Sequence, residues 1–273
     1  MGQGPPLVFT QGNGFTVECY REALLPAAER VTVHALNSRG HGGSDAPASL
    51  ADWDGMLEDL AAYLRQAFGA PVLVGAHSMG ATLSMRLAAE APDLVAGLLL
   101  MEPNLLAGPR DPWPSATEGH SLEFANRARG RRDRWASRAE ARAWLRERGI
   151  YKTWSDGPLD DFIASGMRGD DGGVRLACPP WLEGDGYATL PGPVIYRWAE
   201  GIRVPTVLIK AATSPVVHPH GVEALRGCIP VFTALTVKGN HAFPMEHPRD
   251  TGRAIAMAVD VLLRAGAGES AAS

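Results

Sequence analysis

In Val72-Leu73-Val74-Gly75-Ala76-His77-Ser78-Met79-Gly80-Ala81 an apolar run ends, a serine stands among small residues, and a small-residue stretch begins. Residues 71–74 read as a strand and 79–90 as a helix, so Ser78 falls on a strand-to-helix turn. A turn that tight strains its apex and leaves almost no room for side chains two positions to either side. Ala76 and Gly80 meet that demand. The turn also leaves the Ser78 hydroxyl at the positive end of a helix, where developing negative charge is favoured. An ordinary capping serine would share these local features, so the surrounding chain has to decide.

Working outward, residues 7–9 and 31–35 are strand-like, and 97–101 is fully apolar. Residues 17–29 read as helix. Trp53, Met56, Leu57, Leu60 and Leu64 repeat at helical spacing. Strand–helix alternation pauses at 104 and resumes with strands at 204–209 and 231–237 and a helix at 250–264, with Ile255, Val259, Leu262 and Leu263 as its apolar stripe. The tail from 265 onward reads as frayed. Apolar strands between amphipathic helices belong to parallel sheets covered on both faces. The expected fold is α/β: a mostly parallel sheet of about six strands with helices on both faces. Its core is residues 1–103 and 201–273, interrupted by a helical insertion at 104–200.

Composition narrows the function. The chain has 273 residues, 45% hydrophobic and 21% charged, with net charge −4; nothing in this favours nucleic acid or an anionic membrane surface. No run approaches the ~18 apolar residues of a membrane span. The first ten residues show neither a basic n-region nor an apolar h-region. Cys19, Cys178 and Cys228 are too few and scattered for a disulfide framework or a zinc set and read as buried thiols. These features imply a cytoplasmic protein. The 31 glycines and 21 prolines follow no period and read as turns.

Three further segments end strands on the same side as Ser78, where open α/β sheets place their sites. They are Thr10-Gln11-Gly12-Asn13-Gly14-Phe15, Asn37-Ser38-Arg39-Gly40-His41-Gly42-Gly43-Ser44-Asp45 and Lys238-Gly239-Asn240-His241-Ala242-Phe243-Pro244. In the first, small residues let a backbone N–H approach the reaction centre.

With these segments in order, nearly the whole chain resembles the α/β-hydrolase superfamily. GAHSMGA is similar to its nucleophile elbow, with Ala76 in place of the first glycine. SRGHGGSD resembles the loop that precedes the elbow, QGNGF the oxyanion loop, and GNHAFPMEHP the catalytic-histidine loop. The resemblance implies Ser78 as nucleophile, His241 as base, the backbone N–H groups of Asn13 and Met79 as oxyanion donors, and the 104–200 insertion as a helical lid. Gln11 stands where the family usually has His, and Asn37 where an Asp is frequent. The chain begins almost directly at the strand leading to QGNGF, which fits about six strands.

The acid departs most. The family usually has Asp after the second-last strand; here Lys210-Ala211-Ala212-Thr213-Ser214-Pro215-Val216-Val217 puts Ser214 at that position, with no carboxylate nearby. A hydroxyl cannot supply the charge that stabilises an imidazolium. The family's alternative location is the end of the strand before the lid. Here Leu98-Leu99-Leu100-Met101-Glu102-Pro103-Asn104 offers Glu102, giving the order Ser78, Glu102, His241.

The expected activity is serine-dependent hydrolysis of a small to medium carboxylic ester, with no cofactor and no metal. Thioesters, lactones, amides and carbon–carbon bonds use the same machinery and stay open. So does a ligand-binding or receptor-like protein on a hydrolase fold. His77 reads as structural and His41 as a brace for its loop. His218 and His220 form an H-x-H pair in a solvated loop without a further ligand set. Arg127, Arg129, Arg131, Arg132, Arg134 and Arg138 read as one exposed face. Trp113, Trp135, Trp144, Trp154, Trp181 and Trp198 read chiefly as packing within the insertion.

Overall fold

Strands whose successive side chains point to opposite faces can be buried on both sides only if each face meets its own helix layer. A computed structural model describes residues 1–50, 52–113 and 120–270. Its strands are β1 (Pro6–Thr10), β2 (Thr32–Leu36), β3 (Val72–His77), β4 (Val95–Met101), β5 (Arg134–Trp135), β6 (Met167–Asp170), β7 (Gly173–Leu176), β8 (Thr206–Ala211) and β9 (Phe232–Val237). Six of them form one sheet in the order β2-β1-β3-β4-β8-β9, every pairing parallel. The helices are α1 (Arg21–Leu24), α2 (Asp54–Ala67), α3 (Met79–Glu90), α4 (His120–Arg129), α5 (Arg138–Arg146), α6 (Asp156–Ser165), α7 (Pro180–Ala188), α8 (Val194–Gly201), α9 (Pro219–Cys228), α10 (Phe243–Glu246) and α11 (Pro248–Ser270).

The two faces divide the strand residues by parity, except at Val95, where the β3–β4 register shifts. Leu7, Phe9, Leu99 and Met101 pack with Ala23 and Leu24 of α1 and Ile255, Val259 and Leu262 of α11. Val8, Leu98 and Leu100 pack with Leu60 and Leu64 of α2, Met85 of α3, Ile195 of α8 and Leu225 of α9. The central strand β3 is buried along its whole length, so its C-terminal turn is held from both sides.

Some elements differ from expectation. Residues 17–29 do not form one helix: 3-10 turns at Val17–Tyr20 and Ala27–Glu29 flank α1. Pro26 has no N–H to continue the helical ladder. Helix α11 runs to Ser270, past the expected end at 264; residues 271–273 of the tail lie outside the described residues. The segment between β4 and β8 holds, besides α4–α8, a small antiparallel sheet in the order β5-β7-β6. The two-residue loop Asp171-Gly172 joins β6 to β7, with Gly172 at φ +75. An Asp-Gly pair favours such a tight hairpin turn.

The elbow tolerates no side chain at Gly80. A Cβ there would lie 2.5 Å from Thr10 Oγ1 and 2.7 Å from the Gln11 carbonyl oxygen. At the exposed Gly43 a Cβ would meet nothing within 4 Å. Gly80→Ala is therefore expected to destabilise the fold by about 1–3 kcal/mol, and Gly43→Ala by less than about 0.5 kcal/mol; urea unfolding of both variants checks the contrast.

Candidate active site

Ser78 follows β3 and precedes α3 at φ 54, ψ −115. A non-glycine residue in that region costs about 1–3 kcal/mol and persists only where its surroundings over-determine it. Here the Ser78 N–H donates to the Met101 carbonyl at 2.8 Å and the Gly80 N–H to that of Gln11 at 3.3 Å. The sheet on one side and the loop after β1 on the other thus pin the turn. Ser78 is 9% exposed.

Two other strand ends bring the expected partners. The His241 ring places Nε2 3.0 Å from Ser78 Oγ and Nδ1 3.2 Å from Glu102 Oε2. The loop carrying His241 is fixed by Asn240, whose Nδ2 donates to Glu246 Oε1 at 2.8 Å and whose Oδ1 accepts from the Ala242 N–H at 2.9 Å. Glu102 caps β4 at φ 50 and has no exposed surface. A carboxylate taken out of water needs hydrogen-bond donors for its oxygens. Ala211 N–H donates to Oε1 at 2.7 Å, and the Ser214 hydroxyl donates to Oε2 at 2.6 Å. Ser214 Oγ in turn accepts from the N–H groups of Val217 at 2.8 Å and Val216 at 3.2 Å. The residue in the family's usual acid position thus holds the carboxylate that arrives from β4. Sequence reasoning had set Ser214 aside as merely not an acid.

The amides of the loop after β1 can be accounted for one by one. Gly12 N–H donates to Tyr20 Oη at 3.2 Å, Gly14 N–H to His41 Nε2 at 3.0 Å, and Phe15 N–H to the Gly12 carbonyl at 3.2 Å. Among the described residues the Asn13 N–H has no acceptor. The Met79 N–H is the first of α3, where helix amides lack an intrahelical carbonyl. A Cβ on Gly12 would sit 3.2 Å from the Cβ of Ser78, so this loop runs directly beside the serine. The Asn13 side chain turns away and donates to the Glu183 carbonyl of α7 at 2.8 Å.

Behind the serine lies a buried relay. Tyr20 Oη, which accepts from Gly12, donates to His77 Nδ1 at 2.7 Å, and His77 Nε2–H donates to the His241 carbonyl at 2.9 Å. Burial, with the neighbouring His241, holds His77 well below the usual histidine pKa. The relay joins the Gly12 loop to the backbone of His241. His77 is structural, as expected, but nothing in the local pattern around Tyr20 marked it as its partner. His41 does brace its loop, through Nδ1–H to the Arg39 carbonyl at 3.1 Å, and it also holds Gly14. Burial lowers its pKa to about 4.

The 104–200 segment reaches this loop through α7. A Cβ on Gly186 would strike the Asn13 amide, and one on Gly14 would strike Glu183. Trp154 packs edge-on against Phe15, with ring centroids 5.3 Å apart. Arg131 departs from the expected exposed face. It is largely buried, 2.6 Å from Glu183 Oε2 and 3.0 Å from Tyr151 Oη. Burial works against its charge, but Tyr151 and Glu183 outweigh that and push its pKa up. Trp135 and Trp154 are buried, whereas Trp181 is 37% exposed. Cys19 and Cys178 are buried and Cys228 partly so, all three unpaired.

The H-x-H pair has company that sequence did not supply. Asp111, more than a hundred residues upstream, lies with His218 and His220 so that one ligand atom from each falls within 4.8 Å of the others. Among the described residues no helix is long and apolar enough to cross a membrane.

Residues 5–248 match the sequence profile of the alpha/beta hydrolase fold family, and the chain belongs to that family. It is 33% identical over 102 residues to 2-(acetamidomethylene)succinate hydrolase of Mesorhizobium japonicum, which is 37% of this chain and 36% of that protein. It is 31% identical over 123 residues to pimeloyl-[acyl-carrier protein] methyl ester esterase of Chromobacterium violaceum, covering 45% and 46% of the two chains. The aligned stretches thus span less than half the length of either relative. Among solved structures, E-2-(acetamidomethylene)succinate hydrolase superposes with TM-score 0.79 at 21% identity, over 95% of this chain and 92% of that one. The thioesterase domain from the curacin biosynthetic pathway gives 0.75 at 19%, over 95% and 92%. At these identities the structural likeness speaks for the fold.

Two measurements test the supports of the site. Because His41 binds a proton more weakly folded than unfolded, the unfolded chain takes up more protons below about pH 6.5, and stability falls with pH down to about 4. For this one group the loss between pH 7 and pH 5 is about 2 kcal/mol. Urea unfolding should show His41→Gln, whose amide oxygen can still accept from Gly14, losing less stability over that interval than the parent. Tyr20→Phe leaves the Gly12 N–H and His77 Nδ1 without a partner and is expected to cost about 1–3 kcal/mol in the same assay.

Proposed function

We propose that this member of the family is a serine hydrolase that cleaves a small to medium carboxylic ester through an acyl-enzyme. The reading is carried by one observation, the continuous hydrogen-bond chain from Ser78 Oγ to the His241 ring to the buried Glu102 carboxylate, at 3.0 and 3.2 Å. In it, Ser78 Oγ attacks the ester carbonyl while His241 Nε2 takes its proton. Glu102 stabilises the imidazolium and fixes the Nδ1–H tautomer. The N–H groups of Asn13 and Met79 receive the oxyanion, a role open to them because the neighbouring loop amides are already engaged. The tetrahedral intermediate collapses, His241 gives its proton to the leaving alkoxide, and water then attacks the acyl-Ser78 by the same route.

The 104–200 segment serves as a cap that excludes water and shapes the acyl pocket, supported by the contacts of α7 and Trp154 with the loop around Asn13 and Phe15. The match to a methyl ester esterase agrees with an ester substrate.

Ser78→Ala or His241→Ala is expected to lower kcat on p-nitrophenyl esters by on the order of 10⁶, with the fold intact by circular dichroism. Glu102→Gln should cost on the order of 10⁴. Asn13→Ala keeps the backbone donor and should cost less than about tenfold, whereas loss of a true side-chain donor costs on the order of 10²–10³. Ser214 Oγ lies 2.6 Å from the carboxylate, so Ser214→Asp combined with Glu102→Ala should recover part of the rate that Glu102→Ala loses. A parent protein whose Ser78 resists a fluorophosphonate and which hydrolyses no ester would overturn the reading in favour of a binding protein.

A further inference from the structure

We propose that Asp111, His218 and His220 form a site for one divalent transition-metal ion, of which Zn²⁺ is the representative, clamping the segment that leaves β4 to the segment that leaves β8. Two imidazole nitrogens and a carboxylate oxygen are a donor set for zinc, nickel or copper rather than for magnesium or calcium. The donors are already close. His220 Nδ1 lies 2.8 Å and His218 Nδ1 3.7 Å from the same Asp111 oxygen, Oδ2. Neighbouring donors of a tetrahedral zinc are about 3.3 Å apart, and His218 Nδ1, which accepts from the His220 N–H at 3.3 Å, would exchange that cap for the metal. The hydrogen bond between His220 Nδ1 and Asp111 Oδ2 would give way to the metal, as metal binding generally displaces protons.

The backbone holds all three residues. His218 is the N-cap of α9, with Pro219 in the first turn. Its N–H donates to the Leu105 carbonyl at 2.8 Å, and Val217 bridges to Leu105 as a short parallel pair. Asp111 Oδ2 accepts from the Gly108 N–H at 2.8 Å, and Tyr196 Oη anchors the Ala107 carbonyl. Asp111 is about one-third exposed and both histidines are exposed, so the site is open to ions in solution. Three protein ligands leave the fourth position to water.

The placement gives the clamp a consequence. Asp111 lies nine residues beyond Glu102, and His218 four beyond Ser214. The Ser214–Glu102 hydrogen bond joins the two segments at one end; a metal would join them at the other. It would therefore stabilise the fold and stiffen the root of the 104–200 segment. The inference does not depend on the chemistry assigned to Ser78.

The full-length chain, stripped with a chelator and dialysed, would be titrated with Zn²⁺ by calorimetry and followed by thermal unfolding. One equivalent is expected to bind and to raise Tm. His220→Ala and Asp111→Asn should each weaken that binding at least tenfold and remove the rise in Tm, while leaving metal-free Tm and ester hydrolysis near parental values. Both side chains lie at the surface, so the variants should fold. Co²⁺ in place of Zn²⁺ should give visible d–d bands that the variants lack. Absence of stoichiometric uptake by the parent, or equal uptake by parent and both variants, would overturn the proposal.

Discussion

A carboxylate with no contact with water has to be answered by the protein, and Glu102, at the end of β4, is answered from the ends of β8 and β9. Its own N–H is fixed by the Ile209 carbonyl of β8, one oxygen is held by the Ala211 N–H, and the other is shared between Ser214 and His241. Withdrawing any one of these leaves charge in a site from which water is excluded, which is costly. The parallel pairing of β4 with β8 and of β8 with β9 is what allows all three to meet. The position of His241, and through it the alignment toward Ser78, depends on that pairing.

A second constraint acts from the other side of Ser78. The loop after β1 runs directly beside the serine and leaves the Asn13 N–H without an acceptor among the described residues. It is held open by side chains that consume its other amides: Tyr20 takes Gly12 and His41 takes Gly14. Both histidines behind the site are kept neutral by burial, so they act as fixed hydrogen-bonding groups whose tautomers are set by a carbonyl on one nitrogen. The relay through His77 couples the two halves, because the same ring that receives Tyr20 donates to the backbone of His241.

Backbone strain falls where these demands converge. Ser78 and Glu102 are the only non-glycine residues at positive φ among those described, and each follows a buried strand end. The two central strands β3 and β4 supply the rigidity that such conformations need. The segment between β4 and β8 adds weight from above through Asn13 and Glu183, and its buried Arg131–Glu183 pair sits directly behind Gly14.

The sequence by itself determined which segments are strands, because short apolar runs alternate with amphipathic helices and each such run became a strand, while their order β2-β1-β3-β4-β8-β9 came from the tertiary structure. It also marked Ser78 and His241 as candidates, since a small-residue turn and a histidine loop are local patterns, and the fold brings His241 Nε2 within 3.0 Å of Ser78 Oγ. Glu102 became the candidate acid because residues 210–217 hold no carboxylate and the resemblance to the family offers the end of the strand before the insertion as the alternative position. The helix read at 17–29 is instead broken before Pro26, and the insertion read as helical also holds a hairpin at Asp171-Gly172. What only the tertiary structure decided are contacts between residues far apart in the chain: Tyr20 with His77, Ser214 with Glu102, Arg131 with Glu183, Asp111 with His218 and His220. None of these carries a local periodicity or composition signal. A side chain's hydrogen-bond partner across the fold is fixed by how the layers pack, and packing is not written in any one stretch of residues.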